Sequence, residues 1–138
     1  MTSKLKLENK HVMAILIDNE FGALAKVVGL FSARGYNIET LTVAEIDKQR
    51  KLSRITITTY GSQETVDLIM KLVQRLVPVH KVVDLTKAAH VERGLALVKV
   101  AYNKENRDDL VRIAESQEAT LIEREVDYFI FEITDESR

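Results

Sequence analysis

The stretch Asn19-Glu20-Phe21-Gly22-Ala23-Leu24 has residue types and spacing that suit a small ligand. It follows an apolar run and precedes a helical pattern, so it reads as a strand-to-helix turn. Free backbone N–H groups at a helix start, aided by the helix dipole, attract an anion. Gly22 lets the backbone approach a ligand closely. Asn19 offers both a donor and an acceptor, which matches the head group of an α-amino acid. A glycine in such a turn is equally well explained by turn chemistry, so the turn alone does not identify a ligand.

Other chemistry-bearing residues read as structural. His11, His80 and His90 fall in separate elements without HxxxH or HxxH spacing, and the chain has no cysteine, so no metal site and no disulfide framework is expected. Glu105, Asp108 and Asp109 crowd a helix N-terminus, where the dipole favours them. Glu123, Arg124, Glu125 and Asp127 suit a solvated strand face and turn. Ser32 and Ser53 have no histidine near them in sequence. Arg34, in the last turn of the first helix, suits the dipole there or a contact with another protein, and Arg54 has the same two readings. No catalytic set is expected.

The elements that must hold the turn follow from periodicity. His11 to Asp18 is an almost wholly apolar run of strand length. Leu24, Val27, Val28 and Phe31 at i, i+3, i+4 and i+7 form one face of a helix, and Gly35 stands where a left-handed cap is wanted. Asn37 to Ala44 predicts a second strand. Asp47 to Lys51 turns the chain, and Leu52 to Tyr60 alternates as a third strand with one solvated face. Ser62 can cap a helix carrying Val66, Ile69, Met70, Val73, Leu76 and Val77. Pro78 ends it, and Val79 to Thr86 predicts a fourth strand. The order β-α-β-β-α-β is the ferredoxin-like unit, with both helices on one face of an antiparallel sheet. After residues 88–94 comes β-α-β-β: a strand from Leu95 to Ala101, a helix capped by Asn106, and a hairpin of Ala119–Val126 and Tyr128–Thr134. The fold class is therefore α+β, with one ferredoxin-like domain at 10–87, a linker at 88–94 and a shortened second copy at 95–138.

Bulk properties agree with a protein of this kind. Of 138 residues, 46% are hydrophobic, enough for a packed core. The net charge of -1 argues against a nucleic-acid binder. Residues 1–90 carry 13 basic and 9 acidic side chains, whereas 91–138 carry 7 and 12, as expected of two modules with different surroundings. No signal peptide is expected at Met1–Glu8 and no membrane span anywhere, so a cytoplasmic location is expected.

Beyond the turn, a longer pattern becomes specific. Asn19 to Leu24, then Gly29-Leu30-Phe31-Ser32-Ala33-Arg34-Gly35-Tyr36-Asn37-Ile38-Glu39-Thr40-Leu41-Thr42-Val43-Ala44, resembles the ACT domain of acetohydroxyacid synthase (acetolactate synthase) small subunits. Leu52 to Ile57, Lys81 to Thr86, Ala89 to Arg93 and Leu97 to Val100 match in order and spacing, so the resemblance runs from about residue 10 to 101. Two departures stand out: Phe21 occupies a position where the family commonly has Pro or Ser, and the second domain lacks the further helix and strand usual in the family.

The resemblance implies a non-catalytic regulatory subunit. Such subunits bind and activate a larger thiamine-diphosphate-dependent catalytic subunit and confer feedback control by valine or a related branched-chain amino acid. It implies a homodimer through the ACT domains, with the effector between two chains. Asn19, Gly22, Ala23 and Leu24 would come from one chain, and Asn37 and Ile38, at the start of the second strand, from its partner. The amides of Ala23 and Leu24 would hold the carboxylate, Asn19 and Asn37 the ammonium group, and Ile38 and Leu24 the aliphatic side chain. No cofactor is expected on this chain; thiamine diphosphate, Mg2+ and FAD are expected on the catalytic subunit. The alternative is a stand-alone ACT-type amino-acid sensor. An acylphosphatase-like enzyme would need an arginine in the first turn, where Glu20 stands, and an RRM-type RNA binder would need aromatic residues on the two central strands, whereas His11–Asp18 has none and Leu52–Thr59 is expected to present Thr, Ser (Ser53) and Arg outward.

Overall fold

A computed structural model describes residues 9–136. The expectation about a signal peptide at Met1–Glu8 lies outside the described residues. No described helix is long and apolar enough to cross a membrane. The chain divides into two compact units between Ala89 and His90.

The first unit runs β1 (Asn9–Asp18), α1 (Ala23–Ala33), β2 (Thr40–Asp47), β3 (Leu52–Gly61), α2 (Gln63–Gln74), β4 (Val79–Asp84). Its sheet has the order β2-β3-β1-β4, and all neighbours are antiparallel. The expected ferredoxin-like unit is present. Alternation on the two central strands sets the core: Met13, Ile15 and Ile17 of β1 share a face with Ile57 and Ile55 of β3. Ala23, Val27 and Phe31 of α1 and Val66, Ile69 and Val73 of α2 close over that face. Burying each large aliphatic side chain here contributes about 1.5–3 kcal/mol, so this one-sided core holds both helices against the sheet.

Three local readings need correction. The apolar stripe of α1 splits. Ala23, Val27 and Phe31, four residues apart, reach the core, while Leu24 and Val28 remain 39% and 38% exposed. Leu30 also packs partly against the core, so the inward face of α1 is centred on that row and Leu24 and Val28 lie at its margin. On β3, Ser53 pairs with Ile17 and lies buried on the face of Ile55, not outward. β2 begins at Thr40 rather than Asn37 because the preceding residues finish the helix. Gly35 is left-handed (φ 69°). Its N–H donates to the Ser32 carbonyl at 3.1 Å, and that of Tyr36 donates to Phe31 at 3.0 Å. This is the Schellman arrangement, with Tyr36 packed against the core.

α2 starts as the sequence predicts. The Ser62 hydroxyl accepts the Thr65 N–H at 3.2 Å. Ser62→Ala is expected to cost about 1 kcal/mol, read as a lower urea midpoint with an unchanged slope. β4 ends at Asp84, two residues earlier than expected, because side chains replace the ladder there. The Asp84 carboxylate accepts the Thr86 N–H at 2.9 Å, and the Thr86 hydroxyl accepts the Val12 N–H at 3.0 Å.

The second unit runs β5 (Gly94–Ala101), α3 (Arg107–Ser116), β6 (Thr120–Arg124), β7 (Tyr128–Asp135), with sheet order β5-β7-β6, antiparallel throughout. Its core is thin. Phe129 and Phe131 are the buried hydrophobic residues among those described, and Tyr102 stacks on Phe129 with centroids 4.1 Å apart. α3 contributes no buried residue, and a cleft of about 120 Å³ opens between Leu110, Ile113, Val98, Val100, Phe131 and Ile133. The cap of α3 also differs from expectation. Asn106 makes no side-chain cap; instead the Asn103 side chain accepts the N–H groups of Glu105 and Asn106 at 2.9 and 3.0 Å.

Candidate effector-binding turn

β1 delivers the chain to the turn and α1 leads it away. The turn is tied on both flanks. The N–H of Asp18 donates to the Pro78 carbonyl at 2.8 Å, and that of Asn19 donates to Lys51 at 2.7 Å. His80 Nε2 lies 2.6 Å from the Asp18 carboxylate. The backbone leaving β1 is thus fixed from β4 on one side and from the β2–β3 turn on the other.

Gly22 is the N-cap of α1, with φ 79° and ψ -6°. That left-handed conformation is cheap only for glycine, so the sequence requires Gly there for the turn itself. A Cβ added at Gly22 meets nothing within 4 Å, so the backbone faces open space. α1 has no side-chain cap and no acidic residue in its first turn, which leaves its positive end uncompensated. The expected pair of carboxylate-holding amides is only half available. The Ala23 N–H already donates to the Glu20 carbonyl, in a long bond of 3.3 Å, and Ala23 is buried. The amides of Gly22 and Leu24 carry no hydrogen bond among the described residues. Phe21, at 106%, stands fully in solvent beside them.

Asn19 is exposed, and its Nδ2 donates to Glu45 Oε1 of β2 at 3.3 Å. A carboxylate only accepts, so this contact sets the amide orientation and leaves the Asn19 carbonyl oxygen free. Sequence reasoning missed Glu45. It is 26 residues away, and as a charge at a strand end it gave no signal before β2 was placed beside the turn.

Asn37 and Ile38 do not join this group within one chain. They lie in the connection ahead of β2, where the Asn37 carbonyl accepts the Thr59 hydroxyl at 2.7 Å. Thr59 pairs with His11, eight residues back along β1 from Asn19, or about 26 Å. The six expected contacts therefore divide into two sets at opposite ends of one sheet. Ile38 packs partly on the core, and Asn37 is exposed.

Beside the turn, the His80–Asp18 contact pairs an imidazole with a carboxylate, and both side chains are solvent-exposed. Asp84 and Tyr128 depart from ordinary titration and lie in different units. Burial opposes the charge of Asp84, but hydrogen bonds from Thr86 and Gln63 and the field of His11 outweigh it and hold its carboxyl below the usual value. The Tyr128 phenol is raised, chiefly by its hydrogen bond to Glu123. Among the described residues no three His, Asp or Glu side chains converge as metal ligands. His11 is buried, with Nε2 3.2 Å from the Gly61 carbonyl oxygen and Nδ1 without a partner.

Comparison with known proteins places these features in a family. Residues 13–81 match the model of the AHAS small subunit-like ACT domain, and residues 93–138 match that of the small subunit of acetolactate synthase. The acetolactate synthase small subunit of Buchnera aphidicola is 36% identical over 91% of this chain and 78% of its own length. The isozyme 3 small subunit of Escherichia coli is 45% identical over 77% of this chain, which spans 64% of that relative. The crystal structure of the acetolactate synthase small subunit from Thermotoga maritima superposes with a TM-score of 0.80 at 33% identity, covering 91% of this chain and 78% of that one. Both units are thus matched in order, and the chain belongs to the family of acetolactate synthase small subunits.

Proposed function

We propose that this chain is a regulatory subunit of acetolactate synthase that binds a branched-chain amino acid at the Gly22 turn and transmits its presence to a catalytic subunit. It performs no catalysis itself. It activates the thiamine-diphosphate-dependent catalytic subunit, which carries the Mg2+ and FAD, and it makes that subunit sensitive to valine or a close relative. The whole assembly acts in the cytoplasm. The observation that carries the reading is the uncapped, positively polarised start of α1 behind a left-handed Gly22, within a chain matched to acetolactate synthase small subunits over both units.

The effector site is shared by two protomers. One chain holds its own two contact sets about 26 Å apart, whereas a two-fold pair of chains brings the turn of one beside Asn37 and Ile38 of the other. Leu24 and Val28 on α1 and Val43 on edge strand β2 are exposed apolar residues that such a pairing covers. The zwitterion then has complementary partners. The amides of Gly22 and Leu24 take its carboxylate, the side-chain oxygens of Asn19 and Asn37 take its ammonium group, and Leu24 and Ile38 line its aliphatic tail. A single methylene is worth only about 1–3 kcal/mol in such a pocket, so valine, leucine and isoleucine are expected to compete.

Calorimetric titration of the chain with these three amino acids, alongside acetolactate formation by catalytic subunit with and without the chain, tests the reading. Saturable binding of at least one of them is expected, together with a rise in synthase activity that the same amino acid reverses. A chain blind to all three and without effect on the synthase overturns it.

A further inference from the structure

We infer that Glu45 is a positioning residue of the effector site, setting which end of the Asn19 amide faces the ligand. This deepens the function proposed above and rests on it. The Asn19 side chain is by itself an ambiguous group. Its two amide atoms differ by only a rotation, yet an ammonium group needs the oxygen and is repelled by the NH2. Nothing in the turn itself chooses between them, because the Asn19 backbone N–H is already committed to Lys51 and the side chain is exposed.

Glu45 makes the choice. Its Oε1 accepts from Asn19 Nδ2 at 3.3 Å. The fold supplies this contact because β2 carries Glu45 opposite Ser53 near the end of the sheet where β1 runs into the turn. An ionised carboxylate has no donor, so only the NH2 end can face it. The oxygen is then presented outward before the ligand arrives, and the rotation that binding would otherwise have to freeze is already restricted. Two other carboxylates at this end have different occupations. Asp18 is engaged with His80 and Asp47 with the Arg50 N–H.

Both partners are exposed, so the expected effect is moderate. Glu45→Ala should weaken binding of valine, or whichever of the three amino acids binds best, by about threefold to fivefold, the scale of an exposed charged contact. It should leave thermal unfolding within a degree or two of the parent. Two readouts separate positioning from a general structural role. In a double-mutant cycle, Glu45→Ala should add nothing once Asn19 has been replaced by Ala. In the ligand-free protein, the NMR signals of the Asn19 side-chain NH2 should change position in Glu45→Gln, because the neutral amide also offers a donor and no longer fixes which end of Asn19 faces it. Unchanged affinity in Glu45→Ala overturns the inference, as does equal weakening with and without Asn19, or an Asn19 signal indifferent to Glu45→Gln. Each of those results leaves the regulatory reading standing. A parent chain that binds none of the three amino acids removes that reading and this inference with it.

Discussion

Gly22→Asp is expected to leave the first unit folded and to weaken branched-chain amino-acid binding by at least about a hundredfold. The two halves of that expectation have separate causes. Gly22 is left-handed, and a non-glycine residue there costs about 1–2 kcal/mol, with Asp among the better tolerated. A Cβ at this position meets no atom within 4 Å, so no steric term is added. The fold loses that much and no more, and circular dichroism should show a native spectrum with a modestly lower midpoint. Binding loses far more. The substitution sets a carboxylate beside the amides proposed to receive the ligand's own. A charge-assisted hydrogen bond is worth about 1.5–3 kcal/mol, and like-charge repulsion adds to its loss. Gly22→Ala separates the causes, because it carries a backbone penalty at least as large without the charge and should weaken binding only a few-fold. Equal losses in the two variants would show that backbone strain, not anion recognition, governs the turn.

The second large effect concerns the unit formed by β5 to β7. Phe129→Ala is expected to unfold it while the first unit persists. Truncating a buried Phe costs about 3–5 kcal/mol, and in this unit Phe129 and Phe131 are the buried hydrophobic residues among those described. Phe129 is fully buried, stacks on Tyr102, and lies 5.6 Å from Phe131 between centroids. A unit with so little core has no reserve to absorb that loss. Hydrogen exchange reads the two units separately. Amides of β5 and β7 should lose protection, whereas those of β1 and β3 should keep it. Retained protection in β5 and β7 would mean that other contacts hold this unit together.

How much of this was legible in the sequence depends on whether the signal was local. β1, β3 and both helices of the first unit announced themselves, since an apolar run, strict alternation and capped stripes are all local patterns. Gly35 and Ser62 acted as read, as residues whose backbone or side-chain chemistry decides a helix end. Local pattern did not reveal which of two apolar rows on α1 meets the sheet. Leu24 and Val27 are equally hydrophobic in sequence, and only packing turns Val27 inward. The polarity of Ser53 suggests a solvent-facing residue, yet strand parity forces it onto the face of Ile55. Asn106 was a good cap by type, but Asn103 lay three residues earlier and took the role.

For the candidate site, the turn was visible because Gly22 and Asn19 adjoin a strand-to-helix boundary. The separation of Asn37 and Ile38 from that turn is a property of the sheet, since it depends on β1 running its full length between them. Glu45 is likewise a product of register, reaching Asn19 only because β2 and β3 pair as they do. Long-range contacts of this kind leave no trace in residue order.

Each effector site is proposed to be built by two protomers. Coexpression of Gly22→Asp with Asn37→Ala, followed by calorimetric titration of the purified mixture, tests it most directly. Each variant alone carries a damaged contact set at every site. In a mixed pair one site combines both defects, while the other joins an intact turn to an intact Asn37 segment. Random pairing therefore predicts that about a quarter of the sites regain parental affinity. A mixture that binds no better than its separate variants would contradict the shared site.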